Sequence, residues 1–97
     1  MAYFATIYRY TDDDARRDEV RPTHRDYLQQ LTQQGRLAVS GPYVGGERGG
    51  ALLIFVADDE AGALELSAND PFMLEGLVEE RTVREWQPVS GQLADRF

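Results

Sequence analysis

The run Ala51-Leu52-Leu53-Ile54-Phe55-Val56-Ala57 restricts what this chain can fold into more than any other stretch. It is wholly apolar and rich in branched and aromatic side chains, which reads as a β-strand. Leu52, Ile54 and Val56 then face one side, and Leu53, Phe55 and Ala57 the other. Both faces of the strand therefore require burial. Helices cover one face. A chain of 97 residues has little left to cover the second. A partner subunit packing sheet on sheet, and hence a homodimer, is the simplest supply.

The elements around that strand set the topology. Tyr3 to Tyr10 is a β-rich opening strand, closed by Asp12-Asp13-Asp14, whose carboxylates favour a turn and can cap a helix. Ala15 to Gln34 follows a helical pattern with Pro22 inside it, predicting either a short turn before Arg21 or a kink there. Gly35 supplies the left-handed stop. Arg36 to Tyr43 is a second strand ending at Gly41-Pro42, since proline cannot donate to a ladder. The glycine-rich segment from Val44 to Gly50 lacks the lysine and following helix of a phosphate-binding loop, and reads as a hairpin connection.

Beyond Ala57, Asp58-Asp59-Glu60 opens another helix, with an inward stripe expected at Ala61, Leu64 and Ala68. Asp70-Pro71 reads as the cap and first position of a further helical turn. Leu77 to Trp86 is a final strand, charged and half exposed. Gln87 to Phe97 is a tail, loose or packed on a partner. The order strand, helix, strand, strand, helix, strand is the split βαβ unit. It predicts an α+β, ferredoxin-like βαββαβ domain with one antiparallel sheet and its helices on one face. A single domain is expected over 1–97, with a core at about 3–88 and a tail at 89–97.

The chemistry available is narrow. Cysteine and lysine are absent, all ten basic residues are arginine, and there is one histidine. Thiolate nucleophiles, Cys-based zinc sites, Schiff bases and a phosphate-loop lysine are thereby excluded. One His per chain also excludes a His-rich metal site within a protomer, and neither metal nor cofactor is expected. The net charge of −7 argues against nucleic acid as a partner. No stretch has the length of a membrane span or the pattern of a secretory signal, so a cytoplasmic protein away from membranes is expected.

The lone histidine is placed unusually. Val20, His24, Tyr27, Leu28 and Leu31 fall on one stripe of a 3.6-residue helix, with Arg25, Asp26, Gln29, Gln30 and Gln33 on the opposite face. His24 therefore points inward. An imidazole there is either tied to a backbone carbonyl in the core or used for proton transfer.

Three motifs bear on that choice: Arg21-Pro22-Thr23-His24, Ser40-Gly41-Pro42 at a strand end, and Asn69-Asp70-Pro71-Phe72 before a short helical turn. In this order the chain, from Tyr3 to about Pro88, resembles the YciI-like (YCII-related) family. The resemblance implies a dimeric α+β barrel of ferredoxin-like protomers and an active-site pair at His24 and Asp70. It also implies a small-molecule ligand, since some relatives act on chlorinated aromatic breakdown products as dehalogenases or lactone isomerases.

The residues themselves leave alternatives open. Asp70 is a plain helix cap, a partner that fixes the His24 tautomer, or both at once. Ser40, with Gly41 and Pro42, offers a hydroxyl and amides to a substrate oxyanion, or bonds its own backbone. Tyr8, Tyr10 and Tyr43 line a pocket or pack the core. Arg9 and Arg21 hold an anionic ligand or pair with surface carboxylates. The functional expectation is a small cofactor-independent enzyme with His24 and Asp70 as its acid–base pair and Ser40, Gly41, Pro42, Arg21 and Tyr8 against the substrate. The alternative is a non-catalytic metabolite-binding or accessory dimer.

Overall fold

The computed structural model describes all 97 residues. In chain order the elements are β1 (Ala2–Tyr10), α1 (Asp14–Gln33), β2 (Leu37–Pro42), β3 (Gly50–Ala57), α2 (Glu60–Ala68), α3 (Pro71–Leu74) and β4 (Val78–Trp86). A single 3-10 turn, Ala94–Arg96, closes the chain. The four strands form one antiparallel sheet in the order β2-β3-β1-β4. This is the expected ferredoxin-like arrangement.

Alternation along β1 divides the sheet into two faces. Phe4, Thr6, Tyr8 and Tyr10 are buried toward the helices, while Ile7 and Arg9 are exposed on the other side. Phe4 pairs with Phe55, Thr6 with Leu53 and Tyr8 with Ala51, so the two central strands build one core with Val20 and Leu31 of α1 and Ala63 of α2. On the opposite, open face Ile7, Val39, Leu52 and Trp86 remain exposed. Gly50 allows β3 to run this close to β1, because a Cβ there would overlap the Tyr8 carbonyl oxygen.

One irregularity decides which side of the sheet Ser40 and Pro42 face. Leu37 pairs with Phe55 but Val39 pairs with Ile54, so β2 carries an extra residue at Ala38. A bulge of one residue exchanges the faces of everything beyond it. Ser40 and Pro42 are thereby opposite Leu53 and Ala51 on the helix side. In an unbulged strand they would face the open side.

One expectation is corrected and two are narrowed. α1 runs continuously through Pro22, which removes the short turn before Arg21. Pro22 and Asp18 both lie on the exposed side of the helix, so the Asp18 carbonyl that loses its donor is left facing solvent. The inward positions of α2 are Ala63 and Ser67, while Ala61 and Ala68 are exposed and Leu64 is half-buried. The Asp59 cap, whose side chain accepts from the Gly62 N–H, fixes where this short helix starts and so which face meets the sheet. The end of the tail does not hang free: Phe97 stands edge-on to Tyr3 and Trp86 of its own sheet, with ring centroids 5.2 and 5.5 Å apart.

Candidate active site

Asp70 is positioned by a helix only one turn long. An isolated turn is unstable, so its ends must hold it. At the front, Asp70 Oδ1 accepts from the Phe72 N–H at 3.0 Å and Pro71 fills the first helical position. At the back, Gly76 adopts φ +70°, donating to the Met73 carbonyl, while the Leu77 N–H donates to the Phe72 carbonyl. That is a Schellman closure, and buried Leu77 and Phe72 supply its usual apolar contact. α1 ends the same way at Gly35, with Arg36 donating to the Leu31 carbonyl. Both chain reversals fix their helices at defined lengths.

With those ends fixed, His24 and Asp70 meet. His24 Nδ1 lies 2.7 Å from Asp70 Oδ1, the imidazole side chain 11% exposed and the carboxylate fully buried. A ring nitrogen facing a carboxylate oxygen donates, so Nδ1 carries a proton and, in the neutral ring, Nε2 holds the lone pair. The His24 ring stacks on Phe72 with centroids 3.9 Å apart and planes 6° apart. Phe72 stands edge-on to Tyr10 at 5.5 Å. Phe72 thus holds the carboxylate by its backbone and the imidazole by its ring.

Behind Asp70 runs a line of donors. Tyr8 O–H donates to Asp70 Oδ2 at 3.0 Å, its oxygen lies 3.0 Å from Ser67 Oγ, and Arg81 Nη1 donates to that same Oγ at 3.3 Å. Each member leans its proton toward the carboxylate, and such chains strengthen one another in a low-dielectric interior. Burial, and next the charge of Asp70, push the Tyr8 phenol far above its ordinary range, so it acts as a permanent donor. Tyr10 and Tyr27 are raised by the same two causes in the same order.

Besides meeting Asp70, His24 lines a cavity of about 280 Å³. Its walls are Arg21, His24, Arg25 and Leu28 from α1, Ser40, Gly41 and Pro42 from β2, and Ala51 and Leu53 from β3; Tyr10 and Phe72 complete it. Of the residues singled out in the sequence, His24, Ser40, Gly41, Pro42 and Arg21 are thus brought together around one hollow, with Asp70 directly behind. Tyr8 is the correction. Expected against the substrate, it is fully buried, and its hydroxyl is engaged by Asp70 and Ser67. Arg9 lies on the open face, paired with Glu80 at 3.4 Å.

Sequence reasoning missed Phe72, Ser67 and Arg25. Phe72 was signalled by its place two residues after a capping Asp. Ser67 had no comparable signal. Arg25, assigned to the solvent side of α1, lies at the cavity wall beside His24. Larger hollows exist, including one of about 420 Å³ on the open face near Ile7, Arg9 and Tyr43. Neither that hollow nor the one of about 650 Å³ beside Tyr27 and Gln34 contains an imidazole. No group of three or more His, Asp or Glu side chains is clustered to hold a metal ion. No helix is long and apolar enough to cross a membrane.

Among solved structures, the chain is similar to 5-chloro-2-hydroxyhydroquinone dehydrochlorinase from Burkholderia phenoliruptrix AC1100, determined in complex with 2,5-dihydroxybenzoquinone. The match has 24% identity and a TM-score of 0.76 over 87% of this chain and 92% of that one. An uncharacterized NIPSNAP domain protein from Burkholderia xenovorans matches at 17% identity and TM-score 0.52, covering 93% and 96% of the two chains. At3g17210 from Arabidopsis thaliana matches at 12% and 0.54, covering 96% and 100%. At these identities the likenesses establish the fold. No curated protein matches the sequence. The YCII-related domain profile matches residues 1–87, nearly the whole chain and every element of the His24 cavity, and the chain belongs to the YCII-related domain family.

Proposed function

We propose that this protein is a cofactor-independent acid–base enzyme for a small organic molecule, in which His24 carries the proton and Asp70 positions it. The observation that carries this reading is an imidazole clamped through Nδ1 to a buried carboxylate, in the wall of a cavity. Nε2 takes a proton from a substrate carbon or hydroxyl, and Asp70 balances the charge the ring acquires. In isomerisation the proton returns to a different atom. In dehalogenation the electron pair left by the proton forms a double bond, a halide departs, and the ring later releases its proton to water. The dehydrochlorinase among the similar structures supports the second course. Ser40, Gly41, Pro42 and Arg21 are the substrate contacts in this reading, and Tyr8 positions Asp70.

The working unit is inferred to be a homodimer formed through the open sheet face, where Ile7, Val39 and Leu52 lie exposed together. The test is turnover of chlorinated hydroquinones, followed by chloride release, and of small unsaturated lactones, followed by absorbance. Replacing His24 by Gln is expected to lower the rate by about 10² to 10⁴ while unfolding stays cooperative. Undiminished turnover in that variant sinks the reading. Saturable binding of these compounds by the wild type without turnover would favour the non-catalytic metabolite-binding dimer instead.

A further inference from the structure

We propose that Arg25 selects the substrate by charge, its guanidinium holding a planar oxyanion at the cavity wall while the apolar body of the ligand lies toward Leu28, Leu53 and Phe72. This deepens the acid–base reading above and rests on the same cavity. The first observation is positional. Arg21, His24, Arg25 and Leu28 are spaced i, i+3, i+4 and i+7 on α1 and share one wall of the hollow.

The second observation concerns charge. Five of the ten arginines, namely Arg9, Arg16, Arg17, Arg21 and Arg48, are engaged by carboxylates, and Arg25 is in none of those pairs. The cavity wall contains no Asp or Glu, although the chain carries 17 of them and a net charge of −7. A basic wall free of carboxylates in so acidic a protein leaves an uncompensated cation for a ligand to meet. Guanidinium geometry favours a flat, two-oxygen acceptor. The rest of the lining is mostly hydrocarbon and aromatic, which suits a single small ring. The chemistry is therefore that of a monocyclic anion, its charge on a carboxylate or on ring-bound oxygens.

The test uses the full chain and three probes: benzoate, tropolonate and neutral benzamide. Affinities are read by titration, with the signals of the sole imidazole reporting occupancy of the His24 cavity. At least one anion is expected to bind about tenfold or more tightly than benzamide, and Arg25→Gln to abolish that preference. Preference for benzoate identifies a carboxylate, and preference for tropolonate a ring-bound oxyanion. Arg84→Gln, an exposed change on β4, controls for overall charge and should leave the preference intact. The rate loss in His24→Gln is read separately from this preference, so a failed acid–base reading and a failed anion contact give different results. The proposal is overturned if neither anion binds saturably at the imidazole, if neither outbinds benzamide, or if Arg25→Gln retains the preference.

Discussion

Asp70 Oδ1 lies 2.7 Å from His24 Nδ1 although 46 residues separate them, and the same oxygen caps α3 through the Phe72 N–H. One atom thus serves the fold and the imidazole together. Asparagine caps a helix as well as aspartate does, so Asp70→Asn keeps the carbonyl acceptor and removes the charge. Alanine removes both. The expected cost is about 1–2 kcal/mol for Asn and about 2–4 kcal/mol for Ala, the difference being the lost cap and unsatisfied buried donors. Urea unfolding of the two variants beside the wild type measures it. Equal stabilities would mean that Asp70 does not hold α3, while a loss of turnover in both variants is expected in either case.

The strand and helix order was legible because each element carries its own period and its own stop. The double-sided run at Ala51–Ala57, the Gly35 closure and the Asp70-Pro71 cap are local signals, and local signals survive folding. The meeting of His24 with Asp70 was reached only through the family likeness, because no local rule links residues on separate helices. Ser40 and Pro42 show the limit from the other side. Their facing depends on the bulge at Ala38, and nothing in Leu37-Ala38-Val39 announces an extra residue. Arg25 is exposed, as the helical wheel expects, and was missed as a wall residue because a cavity at the edge of α1 also admits residues at the boundary. Tyr8 was read as a pocket residue because an aromatic on a strand does not reveal which buried acceptor its hydroxyl meets.

Tyr8, Tyr10 and Tyr27 give a pH dependence with a definite sign. Burial first, and the Asp70 charge second, raise all three phenols in the folded protein. The folded state therefore keeps protons that the unfolded chain gives up near the ordinary tyrosine value of about 10. The stability from this difference is fully present below about pH 10 and is lost as pH rises through the folded-state values. Phenolate absorbance from these residues should appear together with loss of circular dichroism at alkaline pH. If all five tyrosines ionised while the dichroism stayed native, the burial argument would fail.

Thr6 is a defect in an otherwise apolar layer. It faces the core between Leu53 and Val83, is fully buried, and its Oγ1 has no hydrogen-bond partner. A buried hydroxyl without a partner costs free energy that an apolar group of the same shape does not. Thr6→Val is accordingly expected to stabilise the fold by about 1 kcal/mol, seen as a higher urea midpoint with an unchanged slope. A lower midpoint would show that the hydroxyl is satisfied by internal water.

The open sheet face gives the last prediction. Ile7, Val39, Leu52 and Trp86 are 42, 52, 38 and 39% exposed, and they lie on strands whose other face is the core. Phe97 already leans on Trp86, which makes Ile7, Val39 and Leu52 the expected centre of a self-contact and Trp86 its margin. Ile7 and Leu52 are direct cross-strand partners, so a charge at either position enters the middle of the patch. Leu52→Asp places two carboxylates across a two-fold interface where burial leaves them unpaired, a cost of several kcal/mol against association. Sedimentation should show a dimer for the wild type and a monomer with native dichroism for Leu52→Asp, whereas Val89→Asp, on the exposed tail, should remain dimeric. A wild type that sediments as a monomer at all accessible concentrations would remove the proposed interface and leave these side chains as ordinary exposed apolar surface.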